Sequence, residues 1–78
     1  MNKKRRLEIH EVINVLNDLV SRIGTIQDDE QEYLDNMPEN LQSSEKYDAA
    51  EEAIDDLESS KVAIEEAVDY LEAAKGED

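Results

Sequence analysis

From Ile9 to Met37 the apolar residues recur in alternating steps of three and four: Ile9, Val12, Leu16, Leu19, Ile23, Ile26, Tyr33 and Met37, with Glu30 the single polar interruption. Seven residues make two turns of an α-helix, so this spacing gathers all of them on one side of a helix. In heptad terms, positions a are 9, 16, 23, 30 and 37, and positions d are 12, 19, 26 and 33; Ile13, Val20 and Leu34 add a further apolar row at e. A second run, Tyr47, Ala50, Ile54, Leu57, Lys61, Ile64, Val68 and Leu71, repeats the spacing with a at 47, 54, 61 and 68 and d at 50, 57, 64 and 71. The two runs predict helices over about 4–36 and 44–75, joined by a loop over about 37–43.

Local chemistry supports these limits. Pro38 pushes Met37 out of the α region, Ser43 or Ser44 can accept from the free amides of the second helix, and Gly76 suits a helix C-terminus. Gly24 costs about 1 kcal/mol relative to Ala and marks either a bend or a tolerated exposed position. Folding the chain back about the loop pairs positions whose numbers sum to 83 or 84, with each a facing an a and each d facing a d. Glu30 would then face Ile54 and Lys61 would face Ile23, both reaching to the edges of the seam. The fold class expected is all-α: an antiparallel two-helix coiled-coil hairpin, one unit over 1–78. A core this thin is marginal, and dimerisation into a four-helix bundle would close it. Val15, Val62 and Tyr70, apolar yet off the seam, are the expected oligomer interface, and Ala53, Ser60, Ala67 and Ala74 would let another helix come close.

Composition removes several classes of function. Leu, Ile and Val supply only 18 of 78 residues, and there is no Cys, Trp or Phe. Disulfide scaffolds and zinc fingers are thereby excluded. No apolar run reaches the ~18 residues of a membrane span, so a soluble, cytoplasmic chain with no membrane partner is expected. A two-helix hairpin encloses no pocket able to exclude water, so no catalytic residue, cofactor or metal is expected. His10 falls on an outer face. Residues 28–35 are acidic but lack the glycine and terminal glutamate of a calcium loop.

The charge is uneven. Residues 1–22 carry five cations and three acids, whereas 23–78 carry three cations and nineteen acids, within a total of −14. The basic start, Lys3 to Arg6, would lie beside Glu72, Glu77 and Asp78 at the end of the second helix, near its negative dipole end. Without aromatic residues this cluster is a poor nucleic-acid footprint, and direct nucleic-acid binding is not expected. On the second helix every e position is Glu (51, 58, 65 and 72), and Asp48, Asp55 and Asp69 occupy b. Carboxylates one turn apart present a charge spacing of the same order as backbone phosphates. The candidate partner-binding residues are Asp28, Asp29, Glu32, Glu51, Asp55, Glu58, Glu65 and Asp69.

The stretch Tyr33-Leu34-Asp35-Asn36-Met37-Pro38-Glu39-Asn40-Leu41-Gln42-Ser43-Ser44-Glu45-Lys46, followed by Ala49-Ala50-Glu51-Glu52-Ala53-Ile54-Asp55-Asp56-Leu57-Glu58, resembles a group of short acidic helical-hairpin proteins of Gram-positive phages and mobile elements. The shared features are the basic start, the Asn-Met-Pro-Glu-x-Leu-Gln-x-Ser-Glu turn and the acidic second helix. The resemblance implies a bacterial host cell, where small acidic phage proteins often inhibit host enzymes, some by mimicking nucleic acid. The expected partner is therefore a basic surface on a host nucleic-acid-binding or defence enzyme. The alternative is a structural coiled-coil protein acting by homo- or hetero-oligomerisation, and membrane or nucleic-acid binding through Lys3 to Arg6 ranks third.

Overall fold

The computed structural model describes residues 1–76 and consists of two helices, α1 at Lys3–Asp35 and α2 at Glu45–Lys75, with one 3-10 turn at Glu39–Leu41 between them. The helices fold back on each other as an antiparallel hairpin, a rod of 60 × 15 × 13 Å. Glu77 and Asp78, expected beside the basic start, lie outside the described residues.

Each boundary has a local cause. The Asn2 side chain accepts from the Arg5 amide at 2.9 Å, satisfying a free N–H in the first turn of α1. α1 stops at Asp35, where the Asn36 amide donates to the Glu32 carbonyl at 3.0 Å and the Pro38 ring bars another turn. The Leu41 amide donates to the Pro38 carbonyl at 2.9 Å and tightens the connection. Of the two candidate serines, Ser44 caps α2, its Oγ accepting from the Tyr47 amide at 3.3 Å. Glu45 and Asp48 then sit at the positive end of the α2 dipole. α2 closes at Gly76, whose φ of 69° lies in the left-handed region that glycine enters without a Cβ clash.

The seam differs from the expected one in its rotation. On α1 the residues turned toward α2 are Ile9, Ile13, Leu16, Val20, Ile23, Gln27, Glu30 and Leu34, which are the a and e rows. The d row is left largely in solvent, with Val12 48%, Ile26 54% and Tyr33 49% exposed and only Leu19 half-buried. On α2 the a and d rows face α1 as expected, and Ala53, Ser60 and Ala67 at g are half-buried beside them. The expectation that every d faces a d is therefore corrected. Three adjacent rows of α1 are apolar, the heptad alone does not rank them, and one neighbouring helix covers about two.

Gln27 is the polar residue that this rotation brings onto the seam, and its amide donates to the Ile54 carbonyl at 3.4 Å. Ile54 consequently lies with Gln27, Gln31 and Leu34, while Glu30 shares a shallow hollow with Ala49 and Ala50 instead of facing Ile54. Lys61 leaves the seam as expected of a long cationic side chain, its ammonium 3.6 Å from the Glu58 carboxylate. Burial remains thin: Ile13, Leu34, Met37 and Ala50 are the only buried residues among those described, and none is completely enclosed.

Two substitutions test this packing. Gly24 lies inside an unbroken α1, and a Cβ placed there meets nothing within 4 Å. Gly24→Ala should therefore raise stability by about 1 kcal/mol, read as a rise of about 4–8 °C in the thermal midpoint by circular dichroism. Ile13→Ala should cost about 2–5 kcal/mol, enough to unfold much of the protein, whereas Asn14→Ala, on the exposed side next to it, should stay within about 0.5 kcal/mol in urea titrations.

Candidate functional site

Residues seven apart return to the same side of each helix, so the hairpin has two broad faces whose membership the structure fixes. Gln31 and Asp35 of α1 line one hollow with Glu51 and Asp55 of α2, which places these four on one face. The heptad then extends that face along α2 through Glu58, Glu65 and Glu72 in one row and Asp48 and Asp69 in the next, all exposed. Asp28, one heptad before Asp35, joins it on α1. The result is a carboxylate surface along nearly the whole of α2, with a charge about every 5 Å where the two rows alternate.

The eight acids singled out from the sequence do not form one surface. Glu51, Asp55, Glu58, Glu65, Asp69 and Asp28 share the acidic face. Asp29 and Glu32 do not, because neighbouring residues on a helix diverge by about 100°. They instead line a cavity of about 850 Å³ at the loop end, with Tyr33, Met37, Pro38, Leu41, Glu45 and Lys46. Asp35 was missed, since its place beside Glu51 depends on how α1 is rotated, although its heptad relation to Asp28 was readable. Within the acidic face, Lys75 lies 3.2 Å from Glu72, matching the Lys61–Glu58 pair, so two of the four glutamates in that row have a cation beside them. In both pairs, three residues apart, a half-buried lysine meets an exposed glutamate, and each adds at most about 1 kcal/mol.

The opposite face has a different character. Tyr33 and Glu30 of α1 share a hollow with Lys46, Ala49 and Ala50 of α2. This puts the exposed Val12–Leu19–Ile26–Tyr33 row on the same side as the row Lys46, Ala53, Ser60, Ala67 and Ala74. The ionisable residues along this face are of both signs, Arg5, Arg22 and Lys46 among Glu8, Asp29, Glu30 and Asp56, with Glu32 and Glu45 at its loop end. Most of the chain's surplus of fourteen negative charges therefore lies elsewhere. At the far end of the rod, Lys3, Arg6, Leu7 and His10 form a groove with Lys75 and Gly76.

Val15, Val62 and Tyr70, expected as one interface, are exposed but separate. Val15 and Tyr70 flank the face of the exposed d row on its two outer edges. Val62 is about 200° round the helix from Ser60 and stands among the acids of the other face. The apolar row that does form a continuous patch, at d of α1, was read from the sequence as seam.

No family model matches the chain, and no curated protein or solved structure is significantly similar to it.

The charge distribution predicts a salt response. Raising the ionic strength from about 0.01 to about 0.15 M shortens the Debye length from ~30 to ~8 Å and screens repulsion along α2, so the thermal midpoint should rise. The paired reversal Glu51→Lys and Glu65→Lys should raise the midpoint at low salt and shrink the salt effect, both measured by thermal melts.

Proposed function

We propose that this protein is a small, non-enzymatic binding protein that lays its acidic face on a basic, nucleic-acid-binding surface of a host enzyme and blocks it. One observation carries the reading: most carboxylates of α2, a helix of 31 residues, are concentrated in two adjacent rows on one face, while the opposite face mixes cations with acids. A charge scattered only for solubility has no need of such segregation. Ordered anions repeating every turn match the lysines and arginines that hold a nucleic-acid backbone, and they accelerate encounter with such a surface. The phage-type resemblance of the turn and second helix supplies the setting, the cytoplasm of a bacterial host. Glu51, Asp55, Glu58, Glu65 and Asp69, joined by Asp28 and Asp35, are the contact residues in this reading.

The exposed d row of α1 favours a second reading, in which the protein works as an assembly element through coiled-coil association. The two separate in one experiment. Tagged protein is used to capture partners from a bacterial lysate, washed at about 0.15 M and then at higher salt, where screening is stronger, and the eluates are identified by mass spectrometry. The electrostatic reading expects a nucleic-acid-binding enzyme that is released by salt, and loss of that capture in the triple variant Glu51→Lys, Glu58→Lys, Glu65→Lys. Capture unchanged by the triple reversal refutes it. A coiled-coil partner that survives salt and is lost in Ile26→Glu establishes the assembly reading instead.

A further inference from the structure

We infer that the face carrying the exposed d row of α1 binds a second copy of this chain, the two rods lying face to face and end for end as an antiparallel four-helix bundle. This inference stands apart from whatever the acidic face binds. It begins with the width of the apolar stripe on α1, three rows of which α2 covers two. The third row, Val12, Leu19, Ile26 and Tyr33, runs through four heptads and is left about half exposed at three of its members. A helix with such a stripe has room for a second neighbour.

The occupant follows from charge and area. An acidic chain of −14 repels its own kind least across this face, where Arg5, Arg22 and Lys46 stand among the acids and the carboxylate rows of α2 point away. The face runs the length of a rod 60 Å long and 15 Å wide, an outline large enough for the about 800 Å² per partner of a stable interface.

The orientation follows from the two ends. At the loop end the cavity presents Tyr33, Pro38 and Leu41 rimmed by the acids Asp29, Glu32 and Glu45. At the terminal end of the same face a shallow groove holds Met1, Arg5, Glu8, Ile9 and Val12, with Met1 55% exposed. Reversing one copy on the other brings the apolar Met1 and the Arg5 cation over an apolar cavity with an anionic rim. The row spacing agrees. The Gln27–Ile54 contact sets Ser60 level with about residue 22 of α1, given equal rise on both helices. A two-fold axis across the face at that level stacks Leu19 on Ile26 of the second copy and Val12 on its Tyr33. The same axis sets Ser60 against Ser60 and Ala53 against Ala67. Every layer of the row then finds an apolar or small counterpart.

Sedimentation equilibrium of the full chain at tens of micromolar and about 0.15 M salt should give a dimer, with a small-angle scattering length close to that of one rod. Ile26→Glu should abolish the dimer while circular dichroism stays helical, and Val62→Glu, on the other face, should leave it intact. Because the chain has no cysteine, orientation is read separately from single substitutions. Ser60→Cys should form an intermolecular disulfide under mild oxidation and Ala74→Cys should not, since the antiparallel axis sets Ala74 against Lys46. A monomer under these conditions, a dimer lost in Val62→Glu but kept in Ile26→Glu, or cross-linking through Ala74→Cys in place of Ser60→Cys would each overturn the inference.

Discussion

A helix paired with one other helix can bury only an arc of its surface, and every feature of this protein depends on how that arc is chosen. α1 offers three adjacent apolar rows and α2 covers the a and e rows, so Ile13 and Leu34 become core while Val12, Ile26 and Tyr33 do not. The choice admits Gln27 to the seam, where its amide reaches the Ile54 carbonyl, and sends the Lys61 ammonium outward to Glu58. A polar group on a half-exposed seam costs little when it finds a partner or reaches water, so neither residue disrupts the packing.

The same rotation sorts the charge. Turning the d row of α1 to one side places Gln31 and Asp35 on the other, beside Glu51 and Asp55. One broad face thus gathers most of the carboxylates of α2 and a few of α1, and the other is left with the apolar d row of α1 and charges of both signs. The faces are suited to different partners. A row of anions recognises cations at long range and loses strength with salt; an apolar row recognises shape at contact and does not. Both lie on a rod 15 Å wide, so a partner on one leaves the other free. A face-to-face pair of such rods would turn its acidic surfaces outward on opposite sides, and an inhibitor built this way would present its anions twice.

The small size explains why so much is left at the surface. With four buried residues among those described and none fully enclosed, the hairpin has the shallow core expected of a short chain without cysteine. What stabilises it locally is capping: Asn2, Ser44 and Gly76 each satisfy backbone groups at a helix end, and the turn of Pro38 to Leu41 fixes where the chain reverses.

The sequence by itself determined the two helices, the place of the turn, the caps and the antiparallel hairpin. Each of these is written in short-range chemistry: a three-four spacing, a proline, a serine before an acidic first turn, a glycine after the last lysine. It also showed that one row of α2 is glutamate throughout. The tertiary structure alone decided which apolar rows of α1 meet α2. From that came the separation of Asp28 and Asp35 from Asp29 and Glu32, the parting of Val62 from Val15 and Tyr70, and the bare row from Val12 to Tyr33. The reason is that the d and e rows are both apolar, so turning α1 by one row leaves the hydrophobic pattern equally satisfied. Only contact with the opposing helix distinguishes the two, and it brings Gln27 within reach of the Ile54 carbonyl.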